Sequence, residues 1–429
     1  MNKRYVYRSL FHRNMQDAYS EADNRKRYVY LVTGMVMLLF LGLIYAWSIF
    51  KAPLKSGYGW SDSQMSLTFT ISIIAFCLGI YSAGRLLRKA RPSSMFILSA
   101  VLVFIGFIGA SRMSPDNDMS LIILYIFYGA FVGTGVGFGY NTIISTVNRW
   151  FRDKLGFASG SMMMAFGLGG IVLGTLVNEM ISRIGLQDTF IVLAVTTTAA
   201  MIAGAVLLKA PIITDVKVAV AESAGYSPKE MMKTPFFWYF FIWGAVVTSA
   251  GLMVINSAVP IAVAFGGFAV LGLLESIFNG TGRVVFGSLF DKIKERSLTI
   301  HAVALVIGGM SLVAAAYTDS LVIVIFGMLV VGLVYGGTPA FTSTIAHDYF
   351  GKKYHPENFS IMSFILIPGA LIGPTVSGYL HDQSGDYTSV FIVVLVLAII
   401  AALLNTAFRI AGKKMKPIDE GQQDRETSE

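Results

Sequence analysis

Long apolar runs alternate with short polar breaks along almost the whole chain. A helix needs roughly 20 apolar residues to cross the hydrocarbon core of a bilayer, and the runs predict twelve such helices. They lie at 28–50, 65–87, 92–112, 119–144, 155–181, 188–208, 236–264, 268–290, 297–317, 320–346, 358–380 and 387–411. The longest internal break, 209–235, carries Lys209, Asp215, Lys217, Glu222, Lys229, Glu230 and Lys233 and splits the pattern six and six. The predicted fold class is therefore an all-α membrane protein with 12 transmembrane helices in two six-helix halves. Its expected parts are an amino tail (1–27), a first bundle (28–208), a central loop (209–235), a second bundle (236–411) and a carboxyl tail (412–429). The first run starts near Tyr28 after a basic stretch and is too long for the apolar segment of a secretory leader, so it is expected to remain as a spanning helix.

Composition agrees with the pattern. Of 429 residues, 55% are hydrophobic and 14% charged, with a mean hydropathy of +0.66. Ordinary globular domains carry about 25% charged residues. The net charge of +8 does not point to nucleic acid, because the basic residues sit between apolar runs and not on one folded face. It reads as topology. The two tails and the breaks after spans 2, 4, 6, 8 and 10 hold 28 of the 33 Lys and Arg, and the other side holds Lys51, Lys55, Arg112 and Arg183. Basic loops stay on the cytoplasmic side, so both termini are expected there. The single cysteine, Cys77, lies in an apolar run and can form neither a disulfide within the chain nor a cysteine metal site.

The halves resemble each other. Gly137-Phe-Gly-Tyr-Asn-Thr-Ile-Ile-Ser-Thr-Val-Asn-Arg-Trp-Phe151 and Gly336-Gly-Thr-Pro-Ala-Phe-Thr-Ser-Thr-Ile-Ala-His-Asp-Tyr-Phe350 stand at a constant offset of 199 residues. Both place a glycine, a Ser/Thr cluster and an aromatic-Phe pair at the end of a span. Together with the six-plus-six layout, this is similar to the duplicated major facilitator architecture, in which substrate binds near the midplane between the halves.

One basic residue, Arg283, belongs to neither side and lies deep inside a span. It lies about 12 Å inward of Asp291 at 1.5 Å per residue, and placing it there costs at least ~2.5–3.5 kcal/mol on insertion scales. A guanidinium facing a watery cavity would hold a carboxylate through two hydrogen bonds; the alternative is an ion pair with a buried acid. Asn279, one turn earlier on the same face, would orient the guanidinium, donate to substrate or bond a neighbouring helix. Glu275 is a candidate proton site, the alternative being a residue near the outer mouth. Tyr45, Tyr125, Tyr128, Tyr140 and Tyr335 lie in spans that would line a central cavity, where a phenol offers apolar area and one donor, although tyrosines also pack helices. Glycines at 129, 133 and 137 and at 160, 167, 169, 170 and 174 suit close helix packing. No strand or GK[ST] turn accompanies them, so they form no nucleotide loop. His12, His301, His347, His355 and His381 have no metal-ligand spacing. No cofactor is expected, and no Ser/His/Asp set falls at a common depth, so the chain does not read as an enzyme.

These residues resemble the oxalate/formate antiporter family of the major facilitator superfamily and, more distantly, monocarboxylate transporters. The resemblance runs from about Tyr28 to Ile410. It rests on Tyr45-Ala-Trp-Ser-Ile-Phe with Pro53-Leu and Gly59-Trp-Ser, on Asn148-Arg-Trp-Phe-Arg-Asp-Lys-Leu-Gly-Phe-Ala-Ser-Gly160, and on Phe278-Asn-Gly-Thr-Gly-Arg283 followed by Asp291-Lys292. It implies that Arg283 binds the substrate carboxylate. Arg149, Asp153, Asp291, Lys292 and Arg85 fall in its loop segments, where they are read as conformational or gating residues. Two departures matter. The lysine that oxalate carriers have in the eleventh helix is Leu366 here, and a glutamine of their second helix is Ile73. One remaining cation favours one carboxylate, because a dianion would enter a low-dielectric cavity half neutralised. The loop after span 2 also has Arg88 where the superfamily usually has Asp, so the cytoplasmic gate is expected to depend more on the second half.

The sequence thus predicts a monomeric secondary transporter of a small organic anion, a monocarboxylate of lactate, pyruvate or formate type, in a bacterial cytoplasmic membrane. A co-transported proton and contacts with membrane lipid are expected partners, and nucleic acid is not. Oxalate/formate or other dicarboxylate exchange, and a non-transporting sensor that signals through its tails, are the alternatives.

Overall fold

The computed structural model describes residues 21–60, 62–151, 153–211 and 225–414. The amino tail before 21, most of the central loop and the chain from 415 onward lie outside the described residues. What is described is helical, and its one β-type pairing is an isolated bridge between Gly225 and Gly351. The helices are α1 Glu21–Leu41, α2 Trp47–Tyr58, α3 Asp62–Leu86, α4 Pro92–Ala110, α5 Gly133–Asn148, α6 Leu155–Leu207 and α7 Pro228–Lys233. They continue as α8 Pro235–Ile255, α9 Ala258–Ala264, α10 Ala269–Ile293, α11 Glu295–Thr318, α12 Leu321–Phe350, α13 His355–Met362, α14 Leu366–Ser384 and α15 Thr388–Lys414.

Local chemistry explains most of the boundaries. Pro92, Pro228 and Pro235 open helices, where a missing N–H costs nothing. Thr234 and Ser320 cap α8 and α12 by accepting from Phe237 N–H and Ile323 N–H. Ser227 and Glu230 form a reciprocal capping box on α7, and the hydrogen bonds from Ser227 hold the Glu230 carboxyl below the usual carboxylate range.

The apolar runs become helices, but several are bent. A 3₁₀ turn at Gly42–Ala46 joins α1 to α2, and α5 is preceded by a π-helical stretch, Leu124–Val132. Pro339 lies inside α12 and Pro374 inside α14. The expected run 236–264 divides after Ile255. The expected runs 155–181 and 188–208 are two helices joined end to end within α6 at Gly185, whose φ 82° and ψ 171° are not helical. Ten of the described helical segments are long and apolar enough to cross a membrane. Large apolar side chains stand on the outer surface, Val322 78% exposed and Leu403 68%, as a lipid solvent allows.

Apolar side chains gain little by leaving lipid for one another, so contact in such a bundle comes from close backbone approach. Glycine supplies it. A Cβ at Gly336 of α12 would sit 1.9 Å from the Asn279 carbonyl oxygen of α10, and one at Gly282 of α10 would sit 1.9 Å from that of Leu333 of α12. The α6–α10 contact is built the same way, through Gly156 against Gly287 and Gly160 against Arg283. Thus α10 is clamped between α6 and α12, with Arg283 at the centre of the contact.

Candidate functional site

Arg283 is 2% exposed. Its Nη1 donates to the Met163 carbonyl of α6 at 2.7 Å, and its Nε donates to Asn279 Oδ1 at 3.3 Å. The carbonyl is reachable because Gly167, one turn further along α6, has no side chain; a Cβ there would lie 3.2 Å from Arg283 Cζ. Asn279 is thus a direct hydrogen-bond partner of the guanidinium.

The guanidinium faces a small cavity lined by Phe76, Ile80, Tyr140, Phe166, Thr338, Pro339, Thr342, Phe359, Ser363, Ile365 and Leu366. Its volume is about 20 Å³, room for a water or two, since one water takes roughly 10–15 Å³ on this measure. Anything larger enters only when the walls part. Arg283 is the charged side chain in this lining, and Leu366 faces the same space. Most of the rest is aromatic or aliphatic. Tyr140 packs with Phe76, Phe166 and Phe359 at ring separations of 5.2, 4.8 and 6.3 Å.

The other expected tyrosines lie elsewhere. Tyr128 is buried among Trp47, Phe50, Phe107 and Phe190. Tyr335 packs on α8, its ring 2.6 Å from where a Gly251 Cβ would stand. Tyr125 donates to the Gln64 carbonyl at 3.1 Å. The side chain of Tyr45 lies outside the described residues. Ile73 is buried but does not line the cavity. Glu275, two turns along α10 from Arg283, is 1% exposed; its Oε1 has no hydrogen-bond partner and lies 2.5 Å from where a Gly332 Cβ would be.

The expected gating residues gather at the end of the bundle that carries most of the described basic residues. Asp291 at the end of α10 accepts from Gly156 N–H and Phe157 N–H, both at 3.0 Å. These are the second and third residues of α6, so the carboxylate caps a distant helix and meets its positive dipole end. Asp153 pairs with Arg27 at 2.9 Å. Arg85 donates to the Tyr81 hydroxyl at 3.2 Å and covers that ring. Arg149 and Lys292 are exposed.

Sequence reasoning missed a second cross-helix contact. Arg88 pairs with Glu357 Oε1 at 3.2 Å and lies over the Tyr354 ring. Glu357 is in the first turn of α13, so the basic residue standing where an acid is usual has found its acid on the partner helix. Thr338, Thr342 and Ser363 were also missed. The pointer was Pro339, a helix breaker inside an apolar run, which such helices tolerate beside cavities.

Residues 32–365 match the family model of the Major Facilitator Superfamily, and the chain belongs to that superfamily. It is 25% identical over 406 residues to the oxalate:formate antiporter of Oxalobacter formigenes, covering 92% of this chain and 94% of that one. It is 22% identical over 349 residues to monocarboxylate transporter 10 of Rattus norvegicus, with 76% and 65% covered. The solved structure of the proton:xylose symporter XylE bound to 6-bromo-6-deoxy-D-glucose shares the fold at a TM-score of 0.66 and 14% identity, covering 90% of this chain and 96% of that one. The protein is therefore a multi-pass membrane protein of a transporter fold, and these relatives are transporters and not enzymes.

Proposed function

We propose that the protein is a secondary active transporter that moves a small monocarboxylate, of lactate, pyruvate or formate type, by alternating access of two six-helix halves. In this reading Arg283 binds the carboxylate, Asn279 holds the guanidinium in place and Tyr140 shapes the apolar wall, with Tyr45 and Tyr335 meeting substrate in other states of the cycle. Tyr128 sits in packing and has no contact to contribute here. Both termini face the cytoplasm of a bacterial cell, and the chain works as a monomer.

The observation that carries the reading is a buried guanidinium facing a cavity whose other described walls are uncharged. Five N–H donors in a planar fork suit a carboxylate. A dianion would bring a second charge against Leu366, with no cation to meet it. Similarity to an oxalate:formate antiporter supports the rival reading, dicarboxylate exchange, so the experiment compares the two. Protein reconstituted in liposomes is expected to take up labelled lactate, pyruvate or formate faster than labelled oxalate. Faster oxalate uptake overturns the one-charge argument, and no flux of any organic acid overturns the transporter reading.

Glu275 favours proton-linked movement over simple exchange. An ionised carboxylate with an unpartnered oxygen is costly in an apolar interior, and an intramembrane acid is a functional candidate by default. Arg283 is the charged group that acts on it from its own helix; Gly332 faces it from α12. The Glu275→Gln variant is expected to bind the acid normally but to lose uptake driven by an inward proton gradient. Undiminished gradient-driven uptake removes the proton from Glu275.

A further inference from the structure

Three Ser/Thr residues line the cavity, and the hydroxyls of two of them are spent inside their own helical segments. Thr342 Oγ1 donates to the Thr338 carbonyl at 2.9 Å, and Ser363 Oγ donates to the Phe359 carbonyl at 2.7 Å. This back-bonding four residues along is the ordinary fate of a hydroxyl in a helix. Thr338 is different: it is 1% exposed, and its Oγ1 has no hydrogen-bond partner. Buried hydroxyls are normally bonded, so an exception calls for a reason.

The reason lies on the far side of α12. The acceptor Thr338 would use is the carbonyl of Val334, four residues earlier. That oxygen takes a 2.6 Å bond from His301 Nε2 on α11. A carbonyl can only accept, so Nε2 carries the proton; the other ring nitrogen, Nδ1, has no partner. Trp243, Phe286 and Phe341 surround the imidazole at ring separations of 5.4, 4.8 and 5.2 Å and hold it there. A carbonyl oxygen has two lone pairs. The helical N–H of Thr338 and the histidine use both, so this carbonyl has no place left for the hydroxyl.

We propose that Thr338 is the second anchor of the bound acid and selects monocarboxylates that carry an oxygen on the carbon next to the carboxylate, the 2-oxo and 2-hydroxy acids. The inference rests on Arg283 holding the carboxylate. The backbone contacts between Gly336 and Asn279 and between Gly282 and Leu333 bring the two residues to adjacent walls of one small space. The guanidinium takes the carboxylate, and the Thr338 hydroxyl donates to the oxygen at carbon 2. The Thr342 and Ser363 hydroxyls are already bonded to backbone, and most of the other walls are aromatic or aliphatic and accept a methyl group. A plain short-chain acid would bind through Arg283 alone and leave the threonine hydroxyl unmet, a form of discrimination open only to a site with a polar group to satisfy.

The test measures inhibition constants of pyruvate, lactate and propionate, in liposomes, against one labelled acid for the unaltered protein, Thr338→Val and Thr338→Ser. The unaltered protein is expected to bind pyruvate or lactate more tightly than propionate. Thr338→Val should weaken pyruvate and lactate by about tenfold, the worth of one well-made buried hydrogen bond, and leave propionate unchanged. Thr338→Ser should retain the preference. Equal losses for all three acids, or no loss, overturn the proposal while leaving the role of Arg283 standing. No binding of any acid by the unaltered protein overturns both. Should Thr338→Val fail to fold, His301→Phe probes the same hydroxyl from outside the cavity, because it frees the Val334 carbonyl to capture it. Loss of the preference for 2-oxygen acids then supports the proposal, and an unchanged preference overturns it.

Discussion

In the proposed site a single guanidinium sets what can be held, and its bonding suggests how. Arg283 keeps two donors engaged with Met163 and Asn279, which fixes the plane of the fork. Charge alone should therefore not be enough. Arg283→Ala is expected to abolish carboxylate binding, and Arg283→Lys, which keeps the charge but loses the planar fork, should weaken it by about tenfold or more. Equal affinity in the Lys variant would mean that the site reads charge and not geometry. Leu366→Lys tests the same idea from the opposite wall. A second cation facing the cavity should turn preference toward oxalate, and oxalate should raise the thermal midpoint of this variant more than that of the parent. A buried lysine costs roughly 2.5–3.5 kcal/mol on insertion scales, so the midpoint without ligand should fall.

At the scale of helices, glycine placement sets how firmly Arg283 is held. A Cβ at Gly160 would lie 2.4 Å from the Arg283 carbonyl oxygen, backbone against backbone, whereas one at Gly378 within α14 meets nothing within 4 Å. Gly160→Ala is expected to part α6 from α10 and cost about 1–3 kcal/mol, with a loss of substrate affinity. Gly378→Ala should gain about 0.5–1 kcal/mol from restricted backbone freedom. Thermal unfolding in detergent checks the contrast, which fails if the two variants shift alike. The helices themselves were legible as apolar runs because lipid imposes a length that water does not. Arg283 was legible because a charge inside such a run has few reasons to be there. Thr338 was not: a threonine in a helix ordinarily bonds its own backbone, and only the position of His301 on another helix shows that it does not. The fate of the tyrosines was equally hidden, since Tyr140 and Tyr128 look alike in sequence and differ only in what the bundle packs beside them.

Over the whole molecule, the end rich in basic residues holds two cross-helix contacts of unequal construction, both expected to act as latches. Asp291 accepts two backbone N–H groups at the start of α6, charge-assisted bonds reinforced by the helix dipole. Arg88 reaches Glu357 across a 3.2 Å contact, but its side chain is 49% exposed, and screened pairs of that kind contribute only about 0–1 kcal/mol. Removing Asp291 should therefore open this end further than removing Arg88. Ser343 reports on it, since its hydroxyl lies 3.1 Å from that of Ser159 on α6 and is buried beneath the latches. With Cys77 replaced by Ala, a Ser343→Cys probe should react slowly with a membrane-impermeant thiol reagent. It should react faster when Asp291 is Ala and only slightly faster when Arg88 is Ala. Faster labelling in the Arg88 variant would reverse the order of the latches and return the gate to the first half of the chain. The side of the membrane from which the reagent works carries a second result. The distribution of Lys and Arg predicts labelling from the cytoplasmic face, and labelling from the other face alone would invert the expected topology.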